Sequence, residues 1–232
     1  MLNFNGRPDG LGNRIEELIN LECYCIENDT SCNYFWNNKY NFRSYNNLLN
    51  CKNILIQDNH FYDNINIKCN FGEYNNIEMI NASKNINYFE NIITDLSYIS
   101  IHIRSTDKLN NRGNDEFTYN FFIDKFKKTL NYLNNLSDEM NIFIASDDDK
   151  YKEYLIKNLN KNYHIVDPFL NKITDPIYKD YFSLVHSKKI IMVPKFSSFA
   201  ASASLLGNNI LVSHCDENET SLYRYRCNIE YI

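Results

Sequence analysis

The chain has 232 residues, and 44% of them are hydrophobic and 15% aromatic, which excludes wholesale disorder and allows one large domain or two small ones. A formal net charge of −5 argues against a nucleic-acid-binding protein, because such proteins usually present a basic surface. The sequence contains no run of about 18 apolar residues, and its first residues, MLNFNGRPDG, lack the pattern of a secretion signal. We therefore expect a cytoplasmic protein without a membrane span.

The seven cysteines are an odd number, and they form no CxxC pair and no Cys/His group with zinc-ligand spacing. We interpret them as reduced thiols of a cytosolic protein.

The chain opens on a predicted strand, a glycine-rich turn and a helix. MLNF is a short apolar strand, and NGRPDGLGN is rich in turn residues. In RIEELINLECYCIEN the apolar side chains Ile15, Leu18 and Ile19 recur at helical spacing.

Residues 31–95 are harder to assign. We expect short strands at CNYFW, KNILIQ and NIEMI, and helical stretches at FRSYNNLLN and YFENIITDLS.

From residue 97 onward, predicted strands and helices alternate. In order they are YISIHIR (strand), TYNFFIDKFKKTLNYLNNL (helix), MNIFIASDDD (strand), KYKEYLIKNLN (helix), YHIVDP (strand), DPIYKDYFSLVHSKK (helix), KIIMVP (strand), SSFAASASLLG (helix) and NNILVSH (strand). Such alternation implies parallel strands joined by right-handed crossovers, so the predicted fold class is α/β. We predict two Rossmann-like halves, 1–95 and 96–232.

Four polar clusters fall where predicted strands end, the edge at which open parallel sheets bind ligands. They are Gly10-Leu11-Gly12-Asn13-Arg14, His102-x-Arg104, Ser146-Asp147-Asp148-Asp149 and Lys195-Phe196-Ser197-Ser198.

Each cluster also has a purely structural interpretation. Gly10 and Gly12 serve either a tight turn or a close approach of backbone to a sugar or phosphate at a helix N-terminus. A dinucleotide-binding GxGxxG motif is incomplete, since position 15 is Ile.

His102 and Arg104 alternate with isoleucines and therefore share one face of their strand. Either alone is compatible with a satisfied structural group, but the arginine fork also suits a diphosphate.

The aspartates and serines that follow the later strands leave several roles open. The acids Asp147 to Asp149 could cap a helix, ligate a divalent metal as a DxD element, or accept hydrogen bonds from a guanine edge. Ser197 and Ser198 open a helix, either as caps or as a phosphate cradle.

Taken in order, GLGNR, HIRSTD, ASDD and KFSSFAASAS resemble the motifs of the GT-B fucosyltransferase superfamily. That superfamily includes the α-1,2-, α-1,6- and protein O-fucosyltransferases and their bacterial nodulation relatives. The resemblance implies two Rossmann-like halves facing a cleft, with the N-terminal acceptor-side half reduced and the C-terminal half binding the nucleotide sugar. It also implies inverting transfer of fucose from GDP-fucose to a glycan hydroxyl, with no metal and no further cofactor.

The resemblance also implies roles for individual residues. Arg104 would bind the β-phosphate and stabilise the departing diphosphate. The other substrate-binding residues it implies are His102 with Asp147 or Asp148 at guanine and ribose, Ser197, Ser198 and Phe199 at the phosphates, and Gly10, Gly12, Asn13 and Arg14 near fucose and acceptor. After H-x-R this chain has Ser105, where the α-1,2 branch has a second arginine.

A general base for the acceptor hydroxyl is expected among the nearby carboxylates. Asp9 is the first candidate and Asp107 the second, whereas Glu16 and Glu17 are expected on the helix surface or near its start.

Two alternative functions of the chain stay open. One is a metal-dependent glycosyltransferase using another nucleotide sugar, with manganese on Asp147 and Asp149. The other is a non-catalytic nucleotide- or carbohydrate-binding module.

Overall fold

A computed structural model describes residues 2–37, 49–58, 74–88, 95–105, 119–136, 139–160, 162–168, 175–193, 197–214 and 227–232. Within these ranges the chain forms eleven strands and six helices in an α/β arrangement. The strands are β1 (Leu2–Asn5), β2 (Cys32–Phe35), β3 (Leu49–Cys51), β4 (Ile54–Gln57), β5 (Ile86–Tyr88), β6 (Ile99–Ile103), β7 (Met140–Ser146), β8 (Tyr163–Ile165), β9 (Lys189–Val193), β10 (Ile210–Ser213) and β11 (Ile229–Tyr231). The helices are α1 (Leu11–Glu27), α2 (Asn76–Ser83), α3 (Tyr119–Asn135), α4 (Asp149–Asn158), α5 (Pro176–Val185) and α6 (Ser198–Gly207).

The larger sheet has six parallel strands in the order β11-β10-β9-β6-β7-β8. Its central strands are buried on both faces because helices cover both sides. Along β9, Ile191 and Val193 pack with side chains of α3 and α4, whereas Ile190 and Met192 pack with side chains of α5 and α6. Every residue of β6 is buried, which places the end of this strand in the middle of the sheet edge.

A smaller sheet of three parallel strands has the order β1-β2-β4, and β3 pairs with β5 as a separate antiparallel ribbon. Helix α1 follows β1 directly and is buried at thirteen of its seventeen residues. It is enclosed because it packs against the small sheet, α2 and α6 at once.

Helices α1 and α6 begin in direct contact. A Cβ atom on Gly12 would clash with the backbone of Ser198 and Phe199, so only glycine allows the two helices to come this close. A single cluster of buried side chains runs through this contact from the small sheet to the large one. The division of the chain at residue 95 remains a proposal.

The enclosure of α1 corrects the expected positions of its acids. Glu16 and Glu17 are 6% and 2% exposed, not on the helix surface. The Glu17 carboxylate accepts hydrogen bonds from the Arg7 amide (3.1 Å) and the Tyr34 hydroxyl (2.6 Å), and burial raises its pKa. Glu22 is buried likewise and accepts from Asn53 and Asn85.

The predicted strand NIEMI is wrong, because these residues form α2. Asn75 and Glu78 make a reciprocal capping box: the Asn75 side chain accepts from the Glu78 amide, and the Glu78 side chain accepts from the Asn75 amide. This capping box favours a helix more strongly than the apolar residues of NIEMI favour a strand. The strands β3, β5 and β11 were not predicted, and FRSYNNLLN and YFENIITDLS lie largely outside the described residues.

Among the helices that the structure describes, none combines the length and the apolar character needed to cross a membrane.

Replacing Gly12 with alanine should separate the starts of α1 and α6, because the new methyl group meets backbone atoms that cannot rotate away. We expect the free energy of unfolding to fall by about 1–3 kcal/mol. Gly10→Ala is the matched control, since a Cβ there meets nothing within 4 Å and its φ of −59° suits alanine. Urea denaturation measures the free energy of unfolding of both variants. Equal values for Gly12→Ala and Gly10→Ala would refute the close contact between Gly12 and the start of α6.

Candidate active site

A cavity of about 610 Å³ opens at the sheet edge where β1, β6 and β7 end and where α1, α5 and α6 begin. Its walls come from both halves of the chain, as the parallel-sheet rule predicts. The lining residues are Asp9, Gly10, Leu11, Gly12, Asn13, Arg14, His102, Arg104, Ala145, Ser146, Asp147, Pro176, Ile177, Tyr178, Asp180, Ser198 and Phe199.

Arg104 lies at the centre of the edge, immediately after β6. Its backbone amide donates to the carbonyl oxygen of Val193 at the end of β9 (2.9 Å). The residue is half-buried and lines the cavity together with Ser198, the first residue of α6. A fixed cation and the amide end of a helix thus face the same space.

His102 connects β6 to the start of α6. Its Nε2 atom lies 2.8 Å from the Ser197 hydroxyl, and its ring stacks on Phe199 with centroids 5.3 Å apart. Ser197 is itself the N-cap of α6, accepting from the Ala200 amide at 3.3 Å. His102 is only 8% exposed and borders the cavity, so it holds the helix start in place beside Arg104.

Arg14 supplies a second cation at the cavity wall. Its guanidinium carbon lies 4.3 Å from the centroid of the Trp36 ring, and Nη1 donates to the Asn37 carbonyl oxygen (3.3 Å). The side chain is 2% exposed. Burial lowers its pKa from 12.5, but guanidinium groups stay protonated in proteins, so Arg14 is a permanently charged and immobilised group.

The predicted acids have different surroundings. Asp9 borders the cavity and forms an ion pair with Arg7, whose Nε donates to it at 2.7 Å. Asp147 borders the cavity too, and its Oδ1 accepts from Ser105. The Asp148 side chain caps α4 by accepting from the Lys150 amide (2.9 Å) and does not line the cavity. Binding roles for Asp147 and Asp148 remain predictions.

Three further predictions concern Asp107, Lys195-Phe196 and Asp149. Asp107, the second base candidate, and Lys195-Phe196 are outside the described residues. Asp149 is exposed in the first turn of α4 and is not part of the cavity wall. Across the described ranges, no group of three or more His, Cys, Asp or Glu side chains is arranged to hold a metal ion.

Asp180 is a cavity residue that the sequence analysis missed. It lies on α5, half-buried, and burial raises its pKa to about 6 against the opposing charges of Lys152 and Lys179. Asp175 caps the start of α5 by accepting from the Ile177 amide (2.9 Å), and Pro176 is its first residue, but this cap does not determine which face of the helix meets the cavity. A carboxyl group that titrates near pH 6 can exchange protons or accept hydrogen bonds from a base edge.

Comparisons with known proteins give a structural likeness only. No protein-family model matches the chain, and no curated protein matches its sequence. A structure of the α-1,6-fucosyltransferase NodZ soaked with GDP-fucose is 12% identical, with a TM-score of 0.52 over 88% of this chain and 92% of that chain. NodZ co-crystallised with GDP gives 12% identity and a TM-score of 0.54 over the same shares. NodZ from Bradyrhizobium gives 11% identity and 0.51 over 88% and 93%. The chain therefore has the GT-B-like α/β fold of these structures, which confirms the predicted fold class.

Asp180→Asn should alter the pH dependence of stability. The folded-state pKa of about 6 lies above the ordinary value of 3.8, so the wild-type protein loses stability as pH rises from about 4 to 6 and carries the full penalty above 6. The variant should lack this loss and gain up to about 3 kcal/mol at pH 7.5 but nothing at pH 3.5.

Urea denaturation across this pH range makes the measurement, with Glu153→Gln, an exposed carboxylate on α4, as the matched control. If the free energies of unfolding of Asp180→Asn and wild type change in parallel with pH, burial does not raise the pKa of Asp180.

Proposed function

We propose that the chain is an inverting, metal-independent glycosyltransferase that moves fucose from GDP-fucose to a hydroxyl group of a glycan acceptor. The observation that carries the proposal is the convergence of Arg104, the start of α6 and the start of α1 on one cavity of about 610 Å³. The likeness to NodZ structures obtained with GDP and with GDP-fucose supports the choice of donor.

Arg104 and the start of α6 would bind the diphosphate. A guanidinium group presents two parallel N–H donors to phosphate oxygens, and Ser198 and Phe199, the first two residues of α6, line the same cavity. Negative charge grows on this diphosphate as the bond to fucose breaks. Donors already in place for that charge stabilise the transition state more than the bound substrate.

The start of α1 would form the sugar side of the site. Gly10 faces open space, so its backbone is accessible to a ligand, and Asn13 and Arg14 line the wall beside it. Gly12 has a structural role, because only a residue without a side chain allows α1 to contact α6 here.

Inversion requires a single displacement. The acceptor oxygen attacks the anomeric carbon on the face opposite the diphosphate, the new C–O bond forms as the C–O bond to phosphate breaks, and a base removes the hydroxyl proton. Asp9, before α1, and Asp180, on α5, are cavity carboxylates that could accept it. Asp180 suits this task because its pKa lies close to neutrality. Asp107 also remains a candidate.

Arg104→Ala should abolish fucose transfer and weaken GDP binding while the protein stays folded. Loss of the charge-assisted hydrogen bonds removes about 1.5–3 kcal/mol each, so we expect transfer to fall by at least about 100-fold. Radiolabelled fucose transfer and calorimetric GDP titration provide the readouts, and Lys157→Ala, on the exposed side of α4, is the control. Wild-type turnover by Arg104→Ala would end the assignment.

The donor base can be tested by a thermal-shift series of nucleotides. At 100 times its dissociation constant a ligand stabilises the folded state by about 2.7 kcal/mol, which is about 5–10 °C for a chain of this size. We expect this shift with GDP and a much smaller one with UDP. Comparable shifts from the two nucleotides would contradict a guanine-specific site.

Metal independence and catalysis need a separate assay. Transfer from GDP-fucose should persist in EDTA, and loss of activity that manganese restores would favour the metal-dependent alternative. If GDP binds but fucose is neither transferred nor released by hydrolysis, the chain is a non-catalytic binding module.

A further inference from the structure

Asp147 contacts the main chain on both sides of Arg104. Its own amide donates to the carbonyl oxygen of Ile103 (3.4 Å), the residue before Arg104. Its Oδ1 atom accepts from the amide (2.8 Å) and the hydroxyl (2.9 Å) of Ser105, the residue after.

These contacts continue the strand pairing at the end of β6. Ile103 pairs with Ser146, so Asp147 stands directly beyond the last pair of β6 and β7. On the other side the Arg104 amide is bound to Val193 of β9. Ser105 is fully buried, whereas Asp147, whose side chain accepts from its hydroxyl, is exposed at the cavity.

We propose that Asp147, acting through Ser105, is the positioning residue for Arg104, an inference that rests on the proposed function of the cavity. The carboxylate fixes the backbone that carries the arginine, and it does so through both the amide and the hydroxyl of Ser105.

The proposal separates two uses of the same carboxylate. If Asp147 binds the nucleotide directly, its loss weakens donor binding and Ser105 has no part in catalysis. If Asp147 positions Arg104, both residues affect turnover, because a misplacement of about 1 Å can cost about 100-fold in rate. They then act as one unit, so their effects do not add.

Arginine side-chain NMR tests the positioning without any substrate. In protein labelled with ¹⁵N-arginine, the Arg104 Nε–Hε signal is assigned by its disappearance in Arg104→Lys. We expect Ser105→Ala and Asp147→Ala to shift and broaden this signal, with Glu153→Ala, on the exposed face of α4, as the control that does not. An unchanged Arg104 signal in both variants overturns the proposal.

Kinetics with GDP-fucose provides the second readout. We expect kcat to fall by about 10-fold in Ser105→Ala and about 100-fold in Asp147→Ala, with the donor KM nearly constant. The double variant should be no slower than Asp147→Ala, and Asp147→Asn, which keeps an acceptor oxygen, should recover most of the rate. A raised KM with unchanged kcat in Asp147→Ala, or an Asp147→Asn variant as slow as Asp147→Ala, overturns it.

Should Asp147→Ala fail to fold, Ser105→Ala and Asp147→Asn decide the matter by the same two readouts. If the wild-type protein transfers no fucose, the proposed function fails, whereas the NMR measurement still decides whether Asp147 positions Arg104.

Discussion

Helices α1 and α6 begin side by side, and the absence of a side chain at Gly12 is what permits it. Two helix starts that lie this close direct their free amides toward one space and add their dipoles there. Arg104 and Arg14 also line this cavity, together with the carboxyl groups of Asp9, Asp147 and Asp180. The position of both helix starts at the cavity therefore depends on a steric condition at one residue.

The rule that ligands lie beyond the carboxyl ends of parallel strands located most of this cavity in advance. His102 lies near the end of β6 and Arg104 follows that strand, Asp147 follows β7, and Gly10 to Arg14 follow β1. All of them line the cavity. That success has a simple cause: strand direction and the alternation of side chains are encoded locally. The positions of strand ends follow directly from them.

Features that depend on tertiary packing were not accessible in this way. Asp180 and Tyr178 line the cavity because of the rotation of α5 on the sheet, which no periodicity in DPIYKDYF specifies. Glu16 and Glu17 look like surface acids until α1 is seen to be covered on every side. The same applies to the weak strands β3, β5 and β11, which exist only through partners distant in the chain.

The buried cluster that runs from the small sheet through α1 and α6 to the large sheet has a consequence for how the molecule unfolds. Two lobes that share one apolar interior should melt together in a single cooperative transition, and neither should persist alone. A fragment beginning after residue 95 would leave the inner side of α6 uncovered. Isolating residues 96–232 by truncation would thus yield an aggregating polypeptide.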